Sequence, residues 1–192
     1  MNNPMHPVRS LSLDDFDLIR QPAEGDSLNA DDPAALIMTD FSKTAPLTLS
    51  RDVSLDDVQE AMRDRYVRSA LITDSRGRFA GLLTLADLNS HRVLALATGR
   101  GQTRADLTAG DLMTPRHSLS GITLQTLAHS RIGDCLKTLE HDGRQHLLIT
   151  DPARGDICGI ISASDIARAL HRPVEIPRIA DTFGQVVTAL HG

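Results

Sequence analysis

Two short segments of the chain combine a hydroxyl residue with an aspartate three positions later: Thr84 with Asp87, and Ser162 with Asp165. Each follows an apolar run typical of a strand and opens a pattern typical of a helix, so each should lie at a helix N-terminus. The free N–H groups and partial positive charge of such a terminus favour phosphate. A carboxylate there accepts hydrogen bonds, and its two oxygens suit both hydroxyls of a ribose diol. The same spacing is also that of a simple helix cap, which is the alternative interpretation.

Both quartets belong to a longer internal repeat. Six positions of the first half recur 75 to 78 residues later with the same or a similar side chain. They are Met38, Thr39, Asp74, Gly81, Thr84 and Asp87, which match Met113, Thr114, Asp151, Gly159, Ser162 and Asp165. A slowly growing offset is expected for a duplicated unit that has gained single residues in its turns.

The apolar spacing predicts the same elements in each copy. Leu55, Val58 and Met62 form one helical stripe, and Ser54 precedes it as a cap. Turn residues at 74–77 separate two apolar runs and predict a β-hairpin. The predicted elements are strands at 47–49, 67–73 and 79–84 with helices from Leu55 and at 85–97 in the first copy, and strands at 124–126, 145–150 and 157–162 with helices at 131–141 and ending before Pro173 in the second.

Each copy is therefore an α/β (α+β) unit in the order β-α-β-β-α. A unit of about 60–70 residues buries too little surface alone, so we expect the two copies to pack sheet to sheet around a shared core, as a pseudo-twofold module. The predicted divisions are an irregular N-terminal tail at 1–33, a first repeat at 34–100, a second at 101–172, and a C-terminal tail at 173–192 whose apolar residues have rough helical spacing.

The order of these motifs resembles the cystathionine-β-synthase (CBS) domain, present as a tandem pair or Bateman module of the stand-alone bacterial type. The segments that carry the resemblance are 67–74, 81–88 and 159–166, within about 36–171. The resemblance implies a ligand-sensing regulatory module that binds AMP, ADP, ATP or S-adenosylmethionine in clefts between the repeats. It also implies a homodimer and no required cofactor.

The resemblance also assigns roles to individual residues. Asp87 and Asp165 would bind ribose, while Thr84 and Ser162 would help to position ribose or phosphate. Ser164, between Ser162 and Asp165, would add a phosphate contact. Thr39 and Thr114 would line the pockets from the other side.

Basic residues at the start of the hairpin would face the ligand phosphates. Arg68 holds this place in the first repeat, and we expect it near Asp87. Gln145 and His146 hold it in the second repeat, so we expect that site to lack a fixed cation. A half-exposed strand position is the alternative explanation for His146.

Composition narrows the remaining function classes. The chain of 192 residues is 41% hydrophobic and 23% charged, with a net charge of −5. This balance argues against non-specific nucleic-acid binding, which needs a basic face.

The chain contains no apolar run of the roughly 20 residues that cross a membrane and no secretory signal pattern, so we expect a cytoplasmic protein. Zinc, nucleophile-elbow and Walker motifs are absent, which favours a non-enzymatic protein. The resemblance then implies that it regulates an unknown effector in trans. A ligand-free dimerisation scaffold with the same fold is the first alternative, and an enzyme that acts on nucleotides is the second.

Overall fold

The computed structural model describes residues 27–174 and 176, and its elements follow the predicted repeat. The strands are β1 (Thr39–Asp40), β2 (Thr48–Ser50), β3 (Ser69–Thr73), β4 (Phe79–Thr84), β5 (Thr114–Pro115), β6 (Ser120–Thr123), β7 (His146–Asp151) and β8 (Asp156–Ser162). The α-helices are α1 (Leu55–Asp64), α2 (Leu85–Leu88), α3 (His91–Arg100), α4 (Ala109–Leu112), α5 (Leu124–Ala128), α6 (Ile132–Asp142) and α7 (Ala163–Ala169). The mixed α+β fold and the capped helix after Ser54 are confirmed, since the Ser54 hydroxyl accepts from the N–H of Asp57.

The strands form two four-stranded sheets with matching topology. One sheet has the order β2-β3-β4-β5 and the other has the order β6-β7-β8-β1. In each sheet the first pair is parallel and the other two pairs are antiparallel. This correspondence is the expected pseudo-twofold relation between the repeats.

The edge strands are exchanged between the repeats. β1, which precedes the first repeat's helices, pairs with β8 of the second repeat, while β5 pairs with β4 of the first. The exchanged strands run so close that a glycine is required opposite each. A Cβ on Gly81 would lie 2.4 Å from the carbonyl oxygen of Thr114, and one on Gly159 would lie 2.6 Å from Cε of Met38. The repeated glycine therefore makes room for the strand that crosses over.

Three apolar clusters replace the single shared core that the sequence predicted. Successive strand residues point to opposite faces of a sheet, so Leu83 joins the first repeat's core while its neighbour Leu82 faces the other sheet. In the second repeat, Ile161 lies in the core of that repeat and Ile160 faces the sheet of the first repeat. We call the small layer between the sheets the central cluster, whose buried members are Leu82, Leu148 and Ile160.

The exchanged segments also complete each core. Leu107, Ala109 and Leu112, which follow α3, are fully buried in the core of the first repeat. Ala34, in the 3-10 turn Ala34–Ile37 before β1, is fully buried in the core of the second. Each half therefore depends on chain that lies outside its own hairpin and helices.

The predicted strand at 124–126 is wrong, because these residues form α5. The hydroxyl of Thr123 accepts a hydrogen bond from the N–H of Thr126 at 3.0 Å and caps this short helix. The parallel edge strand is instead β6, which lies immediately before the cap and pairs with β7. A capping hydroxyl at the end of an apolar stretch therefore outweighed β propensity here.

The predicted continuous helix at 85–97 is also wrong, because it is broken into α2 and α3. The hydroxyl of Ser90 donates to the carbonyl oxygen of Asp87 at 2.7 Å, and Asn89 ends α2. Ser and Asn side chains compete for backbone groups and weaken helix interiors, which accounts for the break. Helix α3 ends at Gly101, a left-handed position that favours glycine.

The two predicted tails fall mostly outside the described residues: 1–26 of the first, and all of 173–192 except 173, 174 and 176. The predicted divisions at 33/34, 100/101 and 172/173 stay predictions. Within the described part of the chain, no helix is long and apolar enough to cross a membrane.

Candidate functional site

A cleft of about 480 Å³ opens between the two repeats. It brings together six of the nine residues that the sequence predicted, from both halves of the chain. They are Thr39, Arg68, His146, Ser162, Ser164 and Asp165. Its apolar wall is formed by Phe41, Leu71 and Ile160, which belong to the central cluster. We call this space the inter-repeat cleft.

The second quartet forms one polar wall of the inter-repeat cleft. Ser162 ends β8, and its N–H and hydroxyl donate to Oδ2 of Asp165 at 3.0 and 2.6 Å. The N–H of Asp165 donates back to the Ser162 hydroxyl at 3.1 Å, which completes a capping box at the start of α7. The hydroxyls of Ser162 and Ser164 lie 2.9 Å apart. The helix-capping interpretation is therefore correct for this quartet, and the capped carboxylate still lines the cleft.

The other oxygen of Asp165 is held by an exposed arginine. Nη2 of Arg168 lies 2.5 Å from Oδ1 of Asp165, and the two side chains are 77% and 22% exposed. A pair of this kind, at i and i+3 and open to water, contributes little to stability. A ligand that offered hydroxyl donors could therefore displace Arg168 at small cost, while the cap at Oδ2 stays in place.

The first quartet is closed off inside the protein. The N–H and hydroxyl of Thr84 donate to Oδ2 of Asp87 at 3.1 and 2.5 Å, and Nη1 of Arg92 lies 3.6 Å from Oδ1. The carboxylate is only 9% exposed, whereas that of Asp165 is 22% exposed. Thr84 and Asp87 do not line the inter-repeat cleft, nor does Thr114, which pairs with Leu82 in the exchanged strand. The two quartets have the same cap and different access to solvent.

The position of Arg68 differs from the one predicted from the sequence, so positive charge is distributed differently between the two quartets. The sequence placed it near Asp87 and left the second site without a fixed cation, but Arg68 lines the cleft that contains Asp165. Its backbone carbonyl accepts from the N–H of Leu85, which holds the start of β3 beside α2. Its guanidinium makes no hydrogen bond or ion pair with any residue in the described ranges. The cleft therefore holds two arginines, Arg68 and Arg168, against one aspartate.

The remaining predicted residues come from paired strands. Thr39 lies in β1, opposite Ile160 of β8, so the exchanged strand forms part of the cleft wall. His146 begins β7 opposite Ser162, which places the histidine beside the second quartet. Strand exchange is thus what brings Thr39 beside β8, the strand that ends in Ser162.

Among the residues that line the cleft and that sequence reasoning did not single out are Phe41, Tyr66 and Arg168. Arg168 lies one helical turn after Asp165, a spacing that favours an ion pair and was available as a signal. Tyr66 is the only tyrosine in the chain, in a sequence with 3% aromatic residues. Phe41 gave no local signal, because its place depends on the exchange of β1.

Nothing in the described residues resembles a metal site or an activated thiol. No group of three or more His, Cys, Asp or Glu side chains within 27–174 is arranged to hold a metal ion. Burial raises the pKa of the Cys135 thiol to about 11, with a smaller contribution from the charge of Asp134. Burial also raises the pKa of Cys158. Both thiols are thus poor nucleophiles at neutral pH.

Comparisons with known proteins agree with this architecture. A family model described as CBS domain matches residues 37–93 and 127–172. A conserved protein from Pyrococcus horikoshii is similar in structure, with a TM-score of 0.55 and 21% identity over 77% of this chain and 98% of that one. A CBS-domain containing protein from Agrobacterium tumefaciens gives a TM-score of 0.53 and 18% identity over 78% and 98%. These likenesses show a shared fold. No curated protein shows significant sequence similarity to this chain.

Proposed function

The chain belongs to the CBS domain family, and on that premise we propose that its pair of repeats senses an adenine nucleotide or S-adenosylmethionine in the inter-repeat cleft. The bound ligand would alter how the protein acts on a partner, so its role is regulatory rather than catalytic. The proposal extends to a cytoplasmic homodimer with an effector protein of unknown identity.

One observation carries the proposal: the inter-repeat cleft presents three kinds of surface that together suit a nucleotide. Asp165 accepts three of the about four hydrogen bonds that a carboxylate can take, so Oδ1 can accept one ribose hydroxyl, and a second when Arg168 is displaced. Arg68 offers an exposed guanidinium for phosphate. The apolar wall, formed by Phe41, Leu71 and Ile160, offers a surface for a planar base.

The experiment is a calorimetric titration of the purified protein with AMP, ADP, ATP and S-adenosylmethionine. We expect one of them to bind with a stoichiometry of one per chain, and Asp165→Asn to weaken that binding. Asp87→Asn is the matched control, because its quartet has the same cap but lies outside the cleft. Absence of binding for all four ligands would contradict the proposal.

A ligand-free dimerisation scaffold is the second candidate, and the first quartet favours it. Both oxygens of Asp87 face donors within the chain, and the carboxylate is buried. This quartet therefore stabilises the fold without any ligand. If no adenine ligand binds but the protein is a stable dimer by analytical ultracentrifugation, the scaffold is the better description.

A further inference from the structure

Tyr66 has an unusual backbone conformation for its residue type. Its φ angle is +54°, in the left-handed region that favours glycine, and it shares this feature with only one other non-glycine residue in the described chain, His171. A left-handed conformation is strained for a bulky side chain. The residue lies two positions after the end of α1, with Arg65 between them, where the chain turns toward β3.

The second repeat makes the same turn with glycine. After α1, the N–H of Tyr66 donates to the carbonyl of Arg63 at 3.1 Å, and that of Val67 donates to Met62 at 2.9 Å. After α6, the N–H groups of 143 and 144 make the corresponding bonds to 140 and 139. The residue in the matching position is Gly143, with a φ of +60°. The backbone requirement is therefore equal in both repeats, and only the first repeat meets it with a large side chain.

The ring of Tyr66 gains nothing from packing against the protein. The side chain is 96% exposed, whereas Phe41 and Phe79 pack against the central cluster. A strained backbone and an unburied aromatic ring both disfavour tyrosine on grounds of stability. Yet Tyr66 lines the inter-repeat cleft, two residues before Arg68.

We propose that Tyr66 is a specificity-determining residue of the inter-repeat cleft, whose ring stacks on the planar base of the bound ligand. The ring stands at the rim, and the apolar wall with Phe41 and Leu71 lines the same cleft, so a base between them would be covered. Aromatic side chains bind bases by stacking, with little dependence on which base is present. Tyr66 would thus select for ligands that carry a base. This inference rests on the proposed function of the cleft.

Substitutions at Tyr66 give opposite effects on stability and on binding. Tyr66→Gly relieves the left-handed strain, so we expect the melting temperature of the unliganded protein to stay equal or rise by about 2–4 °C. The same change removes the ring, so we expect affinity for the adenine ligand that binds the parent, among AMP, ADP, ATP and S-adenosylmethionine, to fall about fivefold to a hundredfold. A purely structural role would lower both quantities together.

Two further variants separate the ring from the backbone. Tyr66→Phe keeps the ring and should bind within about twofold of the parent. Tyr66→Asn tolerates the left-handed conformation but has no ring, so it should bind as weakly as Tyr66→Gly. Ribose 5-phosphate, which has no base, should show no change in affinity on any of the three substitutions.

The outcomes distinguish this inference from the function on which it rests. If the parent binds no adenine ligand, the proposed function fails and the inference fails with it. If the parent binds and Tyr66→Gly binds equally well, the proposed function stands and the stacking role is wrong. Equal weakening of an adenine ligand and of ribose 5-phosphate would also overturn it, because the ring would then act on the cleft as a whole.

Discussion

Arg68 and Asp165, from different repeats, line the same cleft, whereas Asp87 of the first repeat is paired with Arg92 and closed off. The first repeat thus places a cation in the cleft that contains the quartet of the second. This arrangement makes the two quartets unequal in charge and in access. It also allows substitutions at equivalent positions to serve as controls for each other.

We expect Arg68→Ala to weaken binding of charged nucleotides more than binding of adenosine. An exposed guanidinium about 4 Å from a phosphate contributes on the order of 1 kcal/mol, or about fivefold in affinity. Titration with adenosine, AMP and ATP measures the difference. Arg65→Ala is the control, because Arg65 is exposed nearby but does not line the cleft. Equal losses for adenosine and ATP would show that Arg68 acts through packing.

The two aspartates should separate ligand binding from stability. Ligand at 100 times its dissociation constant stabilises the fold by about 2.7 kcal/mol, which raises the melting temperature by roughly 5–11 °C. Asp165→Asn keeps most of the cap, so the unliganded melting temperature should change little while this shift shrinks. Asp87→Asn removes a buried charge paired with Arg92 and should lower the unliganded melting temperature by about 2–8 °C with the shift retained. Thermal melts with and without ligand check both expectations. A ligand-induced shift that is retained in Asp165→Asn and lost in Asp87→Asn would refute the assignment of Asp165 to the ligand site.

Substitution of the glycines at the strand exchange should lower the free energy of unfolding. Gly81→Ala forces a Cβ against the carbonyl of Thr114, and an overpacked site typically loses about 1–3 kcal/mol. Gly159→Ala should be milder, because its nearest neighbour is the flexible end of Met38. Gly99→Ala is the control: nothing lies within 4 Å of its Cβ, it lies within α3, and alanine there should stabilise by about 1 kcal/mol. Urea denaturation measures the free energy of unfolding of the three variants. If Gly81→Ala were as stable as the parent, the close approach of the exchanged strand would be contradicted.

The exchange of edge segments between the repeats also predicts which fragments of the first repeat fold in isolation. Residues 30–101 lack Leu107, Ala109 and Leu112, which are fully buried in the first core, so this fragment should be poorly folded or aggregate. Residues 43–118 contain the whole of that core together with β5, and should show a cooperative thermal transition by circular dichroism. A monomeric, cooperatively melting 30–101 fragment would contradict the dependence on the exchanged segment.

Acid should destabilise the protein through carboxylates such as Asp111. The hydrogen bond from Arg100, followed by that from the backbone of Thr108, lowers the pKa of Asp111. A carboxyl whose folded pKa lies below its unfolded value of about 3.9 stabilises the fold above that value, and this contribution is lost as pH falls toward the folded pKa. Asp111→Asn should therefore lower stability at pH 7 and flatten its decline below about pH 4.

Denaturation at pH 7, 4 and 3 measures this effect. The matched control is Asp64→Asn, which removes one exposed carboxylate at the end of α1. A profile that is as steep in Asp111→Asn as in the parent would show that other groups carry the acid sensitivity.

The local signals in the sequence determined where the elements begin and what caps them. The cap at Ser54 was predicted correctly, and the caps at Thr84 and Ser162 match the alternative interpretation of the two quartets. A capping hydrogen bond joins residues only three positions apart, so its signal is local. The hairpin strands were also predicted to within two residues, since alternating burial needs no long-range information. The duplication was visible for the same reason, as it repeats these local signals.

The tertiary structure alone decided which repeat each edge strand joins and which residues share a cleft. β1 pairs with a strand about 120 residues later in the chain, and no spacing within either repeat specifies such a partner. The choice depends on which sheet edge has unpaired backbone groups and a glycine that lets another strand approach. Once β1 is exchanged, Thr39 lines the same cleft as Arg68 of the first repeat and Asp165 of the second. The candidate site is therefore a product of strand pairing, which the sequence of each repeat leaves open.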